Sequence, residues 1–188
     1  MGRSMHTITQ AYRSATDLYW IAFLLTARTE LSLSVTLEAV NSGDGLEHMC
    51  SPQSLARLRK TVVIAALEAM HCEIAESARQ MALHQSDEAF IAVQGWCLDP
   101  RISKAQVEAA LVAIEPFPRC ALLLTVFEGL QLEDAAALLH SDRELISRGR
   151  IRGLRDLTRN LASITCTLPH RGDWVRGATG MTTFSPFF

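Results

Sequence analysis

Residues 132–157, LEDAAALLHSDRELISRGRIRGLRDL, constrain the fold more than any other stretch of the chain. Two helical patterns meet there across a break of only a few residues. A steep crossing of two helices through a tight turn needs small residues at the contact. It also needs apolar residues at helical spacing that face a third helix. Ala135, Ala136 and Leu139 supply such a face for the first helix, and Ile146 and Leu157 supply it for the second. Ser141 followed by Glu144 has the S-x-x-E form of a capping box, which predicts a helix start near Asp142.

The rest of the chain reads as helix too. Ala and Leu abound and aromatics make up only 6% of residues, a balance that favours helix over sheet. A first helix is predicted over 9–27, where Tyr12, Ala15, Leu18, Tyr19, Ala22 and Leu25 recur at helical spacing. A second follows over 29–40, and the turn formers at 41–45 break the chain. Ser51 caps a third helix with Pro52 at its first position. That helix runs to about residue 84, with an interruption allowed, and its middle at 62–67 is apolar nearly all round, as a central buried helix would be. Residues 85–101, ending near Asp99-Pro100, read as a linker. Ser103 then caps a helix carrying Val107, Leu111 and Ile114, which stops at Pro116-Phe117-Pro118, and another covers 119–129. From 165 onward there is no periodicity, and an irregular tail is expected. The fold expected is all-α, with two small helical domains at 1–84 and 102–164.

Several function classes fall away. No apolar run approaches the ~20 residues that cross a bilayer, and the N-terminus lacks a secretory pattern, so a soluble cytoplasmic protein is expected. The five cysteines are spread out with no C-x-x-C pair, which argues against a disulfide framework and a zinc ribbon. His48 with Cys50 and His71 with Cys72 read as ordinary polar and thiol positions rather than a metal site. Nucleotide-binding, zinc-protease and serine-hydrolase motifs are absent. Glu73 and Glu76, near His71, read as a solvated helix face. No catalytic residue and no cofactor is assigned.

Charge is divided unevenly. Residues 1–141 hold ten Lys or Arg against sixteen Asp or Glu, a net of −6, whereas 142–188 hold eight Arg against four acids, a net of +4. One basic end suits a nucleic-acid-binding protein. In such helix pairs the start of the second helix enters the major groove. Arg143, Glu144, Ser147 and Arg148 are therefore the candidates to reach bases, and Arg150, Arg152 and Arg155 the candidates to hold phosphates. A helical hairpin with a solvated basic face is the plainer reading of the same residues.

The segment PFPRCALLLTVFEGLQLEDAAALLHSDRELISRGR resembles region 4 of the sigma-70 family, especially the small extracytoplasmic-function sigma factors. Phe127-Glu128-Gly129-Leu130 and residues 134–139 fall in register without gaps, and Ile146 takes the place of the usual Val. Upstream, LYWIAFLLTARTELSLSVTLEAV is similar to the start of the family's region 2 through Leu18, Tyr19, Ala22, Leu25, Thr26, Glu38 and Ala39. The resemblance implies promoter DNA and core RNA polymerase as partners, an anti-sigma protein as a regulator, and Ser34, Leu37 and Glu38 as polymerase contacts. This chain departs from the pattern at several points. His140 stands where the family has a turn glycine, and Gly149 and Gly153 interrupt the second helix, each weakening it by roughly 1 kcal/mol relative to Ala. The family's acidic and polar cluster is here Ser32, Leu33, Ser34, Val35, Thr36 and Leu37, with only Glu38 kept. The stretch LARLRKTVVIAAL offers Arg57, Arg59 and Lys60 but no aromatic to stack a flipped base. Two other readings stay open: a sigma-like module that acts through protein contacts, and a self-contained regulator that dimerises through its N-terminal helices.

Overall fold

The computed structural model describes residues 2–42, 51–83 and 102–166. The predicted linker at 85–101, the residues His48 and Cys50, and the tail beyond Cys166 lie outside the described residues. The described residues are all helical, with no strand. The helices are α1 (Gly2–Thr26), α2 (Thr29–Ser42), α3 (Pro52–Ala69), α4 (His71–Leu83), α5 (Lys104–Val112), α6 (Pro116–Leu122), α7 (Leu132–Leu138) and α8 (Arg143–Cys166). A π-helical turn, Leu123–Phe127, continues α6. Among the described residues no helix is long and apolar enough to cross a membrane.

Local chemistry explains most of the boundaries. Ser103 and Gln106 form a reciprocal capping box at the start of α5. Pro116 opens α6, where a missing N–H has no intrahelical partner to lose. The chain from 52 to 83 breaks at Met70, so the long helix expected there is two, α3 and α4. Ser51 precedes α3 without a side-chain cap bond. Ala27, at φ 55°, turns the chain from α1 into α2. That corner is held by Thr26, whose hydroxyl donates to the Ala22 carbonyl at 2.9 Å and shares a hydrogen bond with the buried Ser32 hydroxyl at 2.8 Å.

One hydrophobic cluster runs through all the described segments, from Leu18, Ala22 and Leu25 of α1 through Val62 and Ala66 of α3 to Phe117, Leu122, Ile146 and Leu157. On α3, Val62, Val63, Ala66 and Leu67 are buried while Ile64 and Ala65 are half-buried, so the apolar girdle is less enclosed than its composition suggests. Contacts cross between the earlier and later helices. The Phe117 N–H donates to the Ser77 hydroxyl of α4 at 3.2 Å. Arg59 of α3 pairs through two nitrogens with the Glu128 carboxylate. Bonding to Glu128 raises the Arg59 pKa further above its ordinary value, against the opposing effect of burial.

Candidate nucleic-acid interface

The corner between α7 and α8 is built from the end of α7 outward. His140 adopts φ 48°, the left-handed conformation that glycine takes freely and histidine at a cost of about 1 kcal/mol. The Ser141 N–H donates to the Ala136 carbonyl at 3.0 Å and the His140 N–H to the Ala137 carbonyl at 3.4 Å. These two bonds are those of a Schellman ending, which satisfies carbonyls that a helix terminus leaves free. The chain then enters α8 through Asp142, whose carboxylate accepts the Leu145 N–H at 2.7 Å. The cap is therefore Asp142 in a single bond, one residue beyond the Ser141 expected to form a box with Glu144. The acidic side chain is the stronger cap beside the positive end of the helix dipole.

Ala135, Ala136 and Leu139 of α7 are buried, as are Ile146, Leu157 and Leu161 of α8. The two glycines of α8 face the same way. A Cβ on Gly149 would lie 2.9 Å from the Phe117 ring, and one on Gly153 would lie 2.6 Å from the Pro118 carbonyl oxygen. Their spacing of four residues puts both on one face, and that face meets α6 nearly backbone to backbone. In the sequence these glycines read only as a weakness of the helix. Their spacing was the available signal that they were a contact.

With that face turned inward, the outer stripe of α8 follows from 100° per residue. It carries Glu144, Ser147, Arg148, Ile151 and Arg155, and continues through Thr158 and Arg159. Ile151 and Arg159 had not been singled out from sequence, although both extend the three- and four-residue spacing of Arg148 and Arg155. Glu144, Ile151 and Arg159 are exposed, while Ser147, Arg148 and Arg155 are half-buried. Arg143 lies at the helix start and pairs with Glu133 of α7 at 3.0 Å, with both groups largely in solvent. Arg148 donates to the Met81 carbonyl of α4 at 3.4 Å, so its guanidinium lies beside the end of α4. Arg150 is half-buried and, at 100° per residue, borders the inward face beside Ile146, well round the helix from the stripe. Arg152 occupies one flank of the stripe, 3.6 Å from Glu115 and 3.7 Å from Asp156. Arg159 pairs with the same buried Asp156 at 2.7 Å.

The seven candidates thus share one helix but not one environment. Arg143, Glu144, Ser147, Arg148 and Arg155 lie on or beside the outer stripe. Arg152 is turned toward two carboxylates of its own chain. Beside the corner, α3 and α4 bound a cleft of about 1050 Å³ where the His71 and His140 rings meet edge to face, 5.7 Å between centroids. Among the described residues no group of three His, Cys, Asp or Glu is placed to hold a metal ion.

The residues proposed to face polymerase sit on α2. Ser34, Leu37 and Glu38 are all exposed, Leu33 beside them is 47% exposed and Leu37 is 59% exposed. Val35 and Thr36 turn inward and are buried. Comparison of the chain with protein-family models, with curated proteins and with solved structures found no match in any of the three.

Proposed function

We propose that the protein is a DNA-binding transcription factor of the sigma type, in which α7, the His140 corner and α8 act as a helix-turn-helix that reads promoter DNA in the major groove. The observation that carries this reading is the division of α8 into two faces. Glycines and apolar side chains fix one face against α6. The opposite stripe presents Ser147, Arg148 and Arg155 with Glu144 at its start. A helix fixed on one side and arginine-rich on the other suits a groove lined with acceptors and phosphates. In this reading Arg143, Glu144, Ser147 and Arg148 approach bases, the two arginines by leaving Glu133 and the Met81 carbonyl, Arg155 holds phosphate with Arg150 at the margin, and Arg152 reaches DNA only by leaving its carboxylate partners. The α2 face of Ser34, Leu37 and Glu38 would dock on core RNA polymerase, and an anti-sigma protein would compete for either surface. The mechanism is recruitment and positioning, without covalent chemistry.

A second reading draws on Leu33 and Leu37. Both are solvent-exposed where the resembled family carries charge, so α2 presents an apolar surface suited to another protein. On that reading the chain is a sigma-like interaction module or a stand-alone regulator without initiation activity.

The test begins with a duplex selected by the protein from a random pool, compared with unselected DNA. Arg148→Ala should weaken binding to the selected duplex by about 5- to 150-fold, the range for one base contact, and weaken unselected DNA less. Arg155→Ala should lower both affinities alike and reduce the salt slope by about 0.9. A protein that selects no sequence, with stripe variants that bind as the parent does, overturns the DNA reading. Co-elution with core RNA polymerase then divides the two hypotheses. A stoichiometric complex supports the sigma mechanism, and its absence from a folded protein leaves the second reading.

A further inference from the structure

Arg119 has no part in the proposed DNA reading, yet it is the most deeply placed cation of the described residues, only 3% exposed in the middle of the core. Its Nη1 donates to the carbonyls of Val112 at 3.0 Å and Ile114 at 2.8 Å, and its Nη2 donates to the carbonyl of Leu25 at 3.2 Å. Val112 ends α5 and Ile114 lies just beyond it, while Leu25 is next to last in α1. A helix end leaves its final carbonyls without intrahelical partners, and these carry the negative end of the helix dipole. A planar guanidinium, with donors pointing in fixed directions, can satisfy two such ends at once.

Residue 119 therefore binds an acceptor ninety-four positions earlier in the chain. Among the described residues no carboxylate lies within ion-pairing distance of it, and Glu73 acts on it only from further off. Burial lowers the Arg119 pKa below its ordinary value. An apolar side chain would enter this site more easily than a cation. It would also take the donor from the buried Ile114 carbonyl and the half-buried Val112 carbonyl, and leave Leu25 only the Cys120 thiol at 4.0 Å.

We infer that Arg119 is a latch that fixes residues 2–83 against residues 102–166, so that the two segments open as one cooperative body instead of as independent units on a tether. The bond from Phe117 to Ser77, the Arg59–Glu128 pair and the continuous hydrophobic cluster lie along the same joint. The consequence is geometric: the outer face of α2 and the stripe of α8 are held at a set orientation, and a partner that touches both must match it. This inference does not depend on what either surface binds.

Amide hydrogen–deuterium exchange of the full chain, followed by mass spectrometry across increasing guanidinium, tests it without DNA. In the parent protein, peptides from α1–α3 and from α6–α8 should report opening equilibria within about threefold of one another, with the same denaturant dependence. In Arg119→Met the two sets should separate by about tenfold or more while both stay protected, and Arg119→Lys should fall between. A parent protein whose halves already open separately overturns the latch, and that result needs no variant to fold. A uniform loss of protection in both halves of Arg119→Met, with no separation, also overturns it by assigning Arg119 to general packing.

Discussion

The two longest helices, α1 and α8, are each joined to a short partner through a corner where a residue other than glycine takes a left-handed conformation, Ala27 in one case and His140 in the other. Both bury apolar side chains, but they meet their neighbours at different distances. α1 presents full side chains, Leu18, Ile21, Ala22 and Leu25, to α2 and α3. α8 presents Gly149 and Gly153 to α6 and gains contact by approach of the backbones. The corners differ in the same way. The one at Ala27 is tied by the buried hydroxyls of Thr26 and Ser32. The one at His140 is closed mainly by backbone bonds and by the cap from the exposed Asp142. Interior side chains hold both helices, but α8 adds to Ile146, Leu157 and Leu161 a close approach that only missing side chains allow, and its start rests on the geometry of its own terminus. That leaves the polar and basic residues of α8 on the side away from the core.

The largest effect should come from filling the glycine contact. Gly153→Ala ought to gain about 1 kcal/mol from helix propensity. Because its Cβ would meet a backbone atom, the Pro118 carbonyl oxygen, at 2.6 Å, the clash should cost about 3 kcal/mol or more, at the top of the overpacking range, and so prevail. A lowered Tm is the expected result, and a raised one would remove the close crossing from the account. Gly149→Ala should cost less, since its nearest neighbour is an edge of the Phe117 ring and not backbone.

Thr26→Val should come next. It deletes the hydroxyl that bonds Ala22 and Ser32, at a cost of about 1–3 kcal/mol in denaturant titration. A neutral outcome would mean that the α1–α2 corner is held by packing alone. At the other corner, Asp142→Ala should cost about 1 kcal/mol. Ser141→Ala should stay within about 0.5 kcal/mol, because its hydroxyl is not the cap. The reverse ranking would restore Ser141 as the cap. One small effect is a gain: His140→Gly should stabilise by up to about 0.5 kcal/mol, since glycine reaches φ 48° without strain but is more disordered when unfolded. A loss there would show that the contact between the His140 and His71 rings outweighs the relief of strain.

Much of the local structure was legible in the residues. Ser103 caps its helix as its sequence predicts, and the apolar spacing of Ala135, Leu139, Ile146 and Leu157 marks sides that are buried, whereas the Ser103 helix already ends at Val112 and Pro116, expected as a stop, opens α6. Other boundaries differ from expectation: α1 begins at Gly2 and not near residue 9, and the start of α8 shifts where neighbouring groups compete for one role, as Ser141 and Asp142 do. For the candidate site, the sequence named the arginines of α8 but could not divide them. Arg152 looks like Arg155 in sequence, yet it lies between Glu115 and Asp156, and Glu115 is brought near only by the fold.

The sequence by itself determined the helical character of this protein, because propensity, capping and apolar period are set by residues within a few positions of one another. It also placed a basic helix near the C-terminal end. Only the tertiary structure decided what the glycines of α8 are for, which face of that helix is left for a partner, and that a buried arginine joins α5 to α1. Those outcomes depend on contacts between residues as much as ninety-four positions apart, where no local pattern specifies which group meets which.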